Sequence, residues 1–367
     1  MLVAGVHTEC FVNFSSDERS MLFEFEERRL ARAQVIYRMF FGWLALPLII
    51  MGLALAFVYM VIVCHAIKSR HVNRKYYVLL VNRAVGDILF CISALVTSCY
   101  VLSVEHISEC FVGIAEFVCG GAGWSAAISY VSLSVIKFYS VWKPLRSRSL
   151  INTKRCIYLA ILSWIIFALT LAYAMVVLAL VKVPALNKWS GCKVETCFRM
   201  MLFSKYCAGV VIYFFTLSIF AITVVLIKRA REHSSHLKPK QCSENEKRTR
   251  FPLWKLALNV ATFVTLSFPY ILWCTVLLMH PDKCFWLQNF VELLKFFGII
   301  RFFLFFRIFI DPTISFIIDY QIRRELLSCL GLHQNVKIYS RDRLAQPSTT
   351  ASYTHTSLPM TTAACAH

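Results

Sequence analysis

An all-α membrane protein, built as a bundle of seven transmembrane helices, is the fold this sequence predicts, and three observations predict it. Hydrophobic residues make up 58% of the 367-residue chain and charged residues only 16%, with a mean hydropathy of +0.63. A soluble domain sits nearer about 45–50% and 25%. Seven apolar runs follow one another, each long enough to cross a hydrocarbon core of about 30 Å at about 1.5 Å per residue. The basic residues between the runs crowd onto one side. The net charge of +19 therefore belongs to segments that set orientation and meet anionic lipid, and is no nucleic-acid footprint.

Residues 1–35 are polar and nearly balanced in charge. They hold a glycosylation acceptor, Asn13-Phe14-Ser15, which has meaning only on an extracellular segment. The opening MLVAGVHTECF has neither a basic n-region nor a long apolar h-region, so the first apolar run is expected to act as its own insertion signal. The runs cover residues 36–66, 77–102, 111–136, 156–182, 203–227, 252–279 and 290–318, which together define a membrane domain over 36–318. The third contains Glu116 and the small-residue run Gly120-Gly121-Ala122-Gly123. Such a run lets neighbouring helices approach closely, and plain tight packing accounts for it.

Orientation follows from the connections. Lys68, Arg70, Arg74 and Lys75 follow the first run, Lys137 through Arg155 follow the third, and a further basic group lies between Lys228 and Lys255. The opposite side holds Lys182, Lys188, Lys193, Arg199, Lys205 and Lys283. The positive-inside rule then places the N-terminus outside and the C-terminus in the cytoplasm.

The last run is the least ordinary. FVELLKFFGIIRFFLFFRIFIDPTISFII carries Arg301, Arg307 and Asp311, each costing at least about 2.5–3.5 kcal/mol in a membrane unless partnered inside the bundle. Pro312 removes a backbone donor beside Asp311. Arg301 lies 11 residues before Pro312, about 16 Å along the helix. If that is the depth of a ligand pocket, as in the receptor family that the chain resembles below, Tyr270, Trp273 and Phe297 are expected to share its face as an apolar wall around one cation, which suits a ligand with an acid or a strong acceptor. The alternative use of Arg301 is an internal pair with Glu116.

After the seventh run, residues 319–332 contain QIRRELLSCLGL. Ile322, Leu326, Leu327 and Leu330 are spaced for a short amphipathic helix on the membrane surface, with Arg323 and Arg324 at the headgroups. Cys329 beside it is either a palmitoylation site or a free thiol. The Ser/Thr-rich tail, 333–367, has the composition of a disordered segment. Only outer cysteines can oxidise. Those are Cys10, Cys110, Cys192, Cys197 and Cys284, an odd number, so at least one is free or paired elsewhere. Neither HExxH, GxSxG, a P-loop nor a dinucleotide fingerprint occurs, and no histidines pair at metal-ligand spacing. The expectation is a protein with no enzymatic activity, cofactor or metal.

Taken together, residues 36–332 resemble the rhodopsin-like (class A) G protein-coupled receptors. Asn82-Arg83-Ala84-Val85-Gly86-Asp87 is similar to the family's Asn-Leu-Ala-x-x-Asp. Trp164 is the single tryptophan of the fourth run. Phe263 and Pro269-Tyr270 match the ends of Phe-x-x-Cys-Trp-x-Pro-Tyr, and Asp311-Pro312-x-x-Ser315 stands where the family writes Asn-Pro-x-x-Tyr. Among such receptors the chain resembles the divergent chemosensory, serpentine expansions of nematode type.

The resemblance implies a receptor for an extracellular peptide or small acidic or polar molecule. Such a receptor moves its sixth helix about Pro269 to admit a heterotrimeric G protein, with arrestin and receptor kinases meeting the tail. It also implies a bridge from Cys110 to Cys192 or Cys197, and a second joining Cys10 to Cys284. Departures are plain. Ile136-Lys137-Phe138 replaces the family's Asp/Glu-Arg-Tyr, and Lys137 keeps the charge without the planar fork. Leu266-Ser267 replaces Cys-Trp. Counting back from Lys137 puts Cys119 where amine receptors carry an aspartate, and the offset suggested by Cys110 puts Phe117 there. Neither is a carboxylate, so the implied ligand is not an amine.

Many family members hold sodium at the aspartate matching Asp87. Here Arg307 occupies a sodium-site position, one turn from Asp311, and Arg83 lies one turn before Asp87. A neutral cluster of two carboxylates and two guanidiniums is expected in the ion's place. Two other readings stand beside the receptor. One is a receptor-shaped protein with weak or no G protein coupling. The other is a transporter, against which stand the odd number of runs and the lack of an internal repeat.

Overall fold

The computed structural model describes residues 28–69, 74–143, 151–192, 194–237, 253–279 and 289–329. Among them the secondary structure is helical, with no strand. Among the described residues, six helical segments are long and apolar enough to cross a membrane: Arg28–Lys68, Lys75–Ser103, Phe111–Ser140, Thr153–Val181, Thr196–Arg229 and Ala261–Met279. The chain is a multi-pass membrane protein.

In chain order the helices are α1 (Arg28–Lys68), α2 (Arg74–Ser103), α3 (Glu109–Trp142), α4 (Thr153–Lys182), the short α5 (Pro184–Ser190), α6 (Arg199–Leu237), α7 (Leu253–Met279), α8 (Phe290–Ile318) and α9 (Tyr320–Cys329). Several outrun the apolar runs that announce them. α1 starts by Arg28 rather than 36, and α6 continues to Leu237, because Arg and Lys are good helix formers whose charge shortens the apolar signal without ending the helix. The last run, 290–318, forms α8 over the same residues. It is not among the six, since Glu292, Lys295, Arg301, Arg307 and Asp311 interrupt its apolar sequence.

α1 packs on α2, and α2 on α3 and α4. α3 touches α4 and α6, α6 touches α7, and α8 lies between α7 and α1. The approach of α2 to α3 is close at Gly86, where a Cβ would stand 3.3 Å from the Ala122 carbonyl oxygen. Within α1, Tyr37–Trp43 is a π segment. Its wider turn is seen in the Leu44 N–H bonding the Met39 carbonyl at 2.9 Å. α4 is capped by Asn152, whose side chain accepts from the Thr153 N–H at 2.7 Å. It turns Ile157, Ile161, Leu162, Ile165 and Leu169 outward, an apolar exterior suited to lipid and not to water. α5 starts with Pro184 at its first position and ends at Gly191, whose φ of 63° is a left-handed cap natural to glycine.

α9 does not simply lie on a surface. Ile322 is fully buried in a cluster with Ile62, Val63, Tyr77 and Leu80. The Tyr77 hydroxyl donates to Asp319 at 3.0 Å, fixing the junction of α8 and α9 to α2. Buried Glu325 lies 3.4 Å from His65 and 3.5 Å from Arg324. Cys329 is exposed at its end.

Candidate functional site

Two polar centres lie along the inner face of α8. The first joins one turn of α2 to one turn of α8. Helical spacing stacks Arg83 under Asp87 and Arg307 under Asp311, and the pairing is crossed between the helices. Arg83 pairs with Asp311 while its Nε lies 3.6 Å from Asp87. Arg307 turns to Asp87, Nη2 to Oδ1 3.7 Å, rather than to Asp311 in its own helix. Tyr130 of α3 donates its hydroxyl to Asp311, and the Thr262 hydroxyl of α7 is 3.4 Å from the same carboxylate. The Tyr130 ring lies 4.0 Å from the Arg83 guanidinium and 5.7 Å from that of Arg307. All four charged residues are at most 9% exposed. Two cations and two anions balance, so each offsets part of the others' desolvation.

The second centre is a cavity of about 280 Å³ between α3, α6, α7 and α8. Glu116 and Arg301 both line it and pair with each other. Arg301 is 1% exposed, its guanidinium 4.6 Å from the Phe41 ring and 5.5 Å from the Phe305 ring. Its buried Nε and Nη2 find no hydrogen-bond partner among the described residues. Tyr270 and Phe297 line the cavity as well. Trp273 does not: it is buried behind Phe297, ring centres 6.3 Å apart, and belongs to the supporting core. Cys119 and Phe117, the two positions that alternative counts set against the amine-receptor aspartate, both face the cavity. The Cys119 thiol is directed at the Phe90 carbonyl, 3.8 Å away.

Lys205 is the residue that sequence reasoning misplaced. It counts among the outer-loop cations by position, yet it sits within α6 and lines the cavity, its ammonium 5.2 Å from the Phe117 ring. The available signal was its place inside the apolar run 203–227, where a lysine has no business unless something inside requires it.

Toward the other end, Lys137 of α3 places its ammonium 5.0 Å from the ring of Tyr76 on α2. Phe263 is buried against Tyr130, ring centres 4.7 Å apart. Pro269 lies inside α7, and the nearby buried Ser267 hydroxyl finds no partner among the described residues. Pro312 is buried inside α8. Asn82 is a junction that the motif alone does not explain. Its amide nitrogen donates to Ser129 at 2.7 Å and Ser163 at 3.0 Å, and its oxygen accepts from the Trp164 indole at 2.7 Å.

The cysteine expectation needs correction. Cys192 is bonded to Cys197, with a Cα–Cα separation of 5.7 Å, within the usual reach of a bridge. Neither is therefore joined to Cys110. The left-handed turn at Gly191 and the start of α6 bring the two together within five residues of chain. Asn187 holds that turn by donating to the Cys192 carbonyl at 2.7 Å. The Cys110 side chain, Cys10, Cys284, Asn13, residues 1–27 and the tail lie outside the described residues.

An ion-paired, largely apolar cavity of this kind has the make-up of a small-molecule site. No protein-family model matches the chain, and no curated protein matches it.

Proposed function

We propose that the chain is a seven-span receptor of the rhodopsin-like type, with α8 as the seventh span. In this reading the N-terminus is extracellular, α9 is cytoplasmic, and the protein sits in the plasma membrane. A non-amine ligand enters the cavity and biases the helices toward a state that a heterotrimeric G protein recognises. The observation that carries the reading is the cavity itself: Glu116, Lys205 and Arg301 converge in an apolar chamber between four helices. Support also comes from α8, whose buried charges find partners on α2 and α3, as an intramembrane helix requires.

Two measurements test it. Accessibility tags placed in the 280–288 connection and after Cys329 should lie on opposite sides of the membrane; the same side for both removes the seven-span reading. G protein activation should rise when Lys137→Arg restores the planar fork, and no gain with any G protein counts against coupling. A second reading, a receptor with weak or no coupling, is favoured by Lys137, whose charge is already engaged by the Tyr76 ring. Ligand binding with no activation, in both wild type and Lys137→Arg, would establish that reading instead.

A further inference from the structure

Two openings meet at one lysine. The surface between α4 and α6 carries a groove of about 440 Å³, floored by Phe117, Gly121 and Trp124 of α3. Leu169 and Tyr173 wall it from α4 and Ala208 from α6. Leu169 is 65% and Tyr173 52% exposed, on a face that meets acyl chains in a membrane. The groove shares Phe117, Trp124 and Lys205 with the inner cavity. Lys205 stands at the boundary in space that Gly120 leaves open: a Cβ there would be 2.9 Å from the ammonium.

Among the described residues, the charges facing the cavity are Glu116, Lys205, Arg301 and Arg307. Arg307 belongs to the balanced cluster with Asp87, and Glu116 is paired with Arg301. Glu116 acts on Lys205 as well as on Arg301, so one carboxylate serves two cations and the apolar chamber holds one cation in excess, beside two arginine nitrogens that find no partner among the described residues. A buried excess cation is costly, and a ligand monoanion removes that cost. A small water-soluble acid would leave the apolar groove of about 440 Å³ unused, whereas a single acyl chain can lie in it with its head group at Lys205.

We propose that this site takes a single-chain anionic amphiphile, a long-chain carboxylate, which enters from the bilayer through the α4–α6 groove and sets its carboxylate on Lys205. The proposal rests on the ligand-binding reading for the use of the cavity, and not on signalling.

The test uses the full chain in nanodiscs of neutral phosphatidylcholine, labelled with a photoreactive palmitate analogue. Oleate should compete for labelling, while oleyl alcohol, methyl oleate and butyrate should not at tenfold higher concentration. Labelled peptides should map to the groove walls on α4 or α6. Lys205→Met should weaken oleate at least tenfold and Lys205→Arg should retain it, the ligand-free melting temperature of each variant showing that it folds. Ala208→Trp, which fills the groove from outside the inner cavity, should slow labelling. Equal competition by the alcohol removes the role of the cation. Equal competition by butyrate removes the bilayer route, and unchanged oleate binding in Lys205→Met places the site elsewhere. Failure of every carboxylate overturns the proposal, while G protein activation by another ligand would leave the receptor reading standing. Oleate binding without activation would keep the site and count only against coupling.

Discussion

Replacing Arg83 by glutamine should be among the most damaging single changes in the α2–α8 cluster. Arg83 serves two carboxylates, pairing with Asp311 and lying 3.6 Å from Asp87. Its loss leaves Asp311 with the hydroxyls of Tyr130 and Thr262, and Asp87 with Arg307 at 3.7 Å. Unit charges about 4 Å apart attract by about 4 kcal/mol at an effective dielectric of about 20. Breaking a buried pair by removing one partner typically costs about 3–5 kcal/mol. Arg83→Gln is predicted to fall in that range. Arg307→Gln should cost less, because Arg307 makes one longer pairing and its Nε is already unpartnered. Neutralising both ends, in Arg83→Gln/Asp311→Asn, should recover part of the loss, with a coupling of at least about 1 kcal/mol. Equilibrium unfolding in mixed micelles, run as a double-mutant cycle, measures all three. If the two single effects add to within about 0.5 kcal/mol, the charges do not act as a pair and the reasoning fails. With both carboxylates already served by arginine, sodium should shift melting no more than an equal concentration of choline does.

Trp164→Phe removes the indole donor to Asn82 and is predicted to cost about 1 kcal/mol, read from the same unfolding curves. Asn82→Leu, which removes three bonds joining α2, α3 and α4, should cost more; a smaller effect would mean water replaces them. Mass mapping of non-reduced peptides should find Cys192 joined to Cys197. Cys192→Ser, Cys197→Ser and the double variant should melt alike, whereas unequal single effects would point to another partner for one of them.

The six apolar helices were legible because each announces itself as a long run with few charges, and the cluster of charges in α8 was legible as an oddity for the same reason. Residue spacing along α2 and α8 stacked their charges into turns, but it could not show which cation meets which anion. Arg307 and Asp311 share a helical face in sequence, yet each takes its partner from α2, whose Arg83 and Asp87 reach across the bundle interior at that level. Lys205 escaped notice because a cation near the end of an apolar run is ambiguous between loop and cavity, and only the packing of α6 on α3 decides. Trp273 fell one layer behind Phe297, since periodicity gives the inward face of a helix but not the depth of the layer. The Cys192–Cys197 bridge depends on a backbone turn at Gly191 that spacing alone does not reveal.

The charges of α8 also bear on how the chain is made. At about 2.5–3.5 kcal/mol each in insertion measurements, Arg301, Arg307 and Asp311 would strongly oppose entry of this segment into lipid by itself. Its counter-charges, Arg83, Asp87 and Glu116, belong to α2 and α3, which leave the ribosome long before it. On the seven-span reading, the segment synthesised last enters a membrane where its partners already wait, and glycosylation tags on its flanks would report when it does. Biogenesis of that segment then becomes a step of tertiary assembly, dependent on helices completed more than 140 residues before it begins.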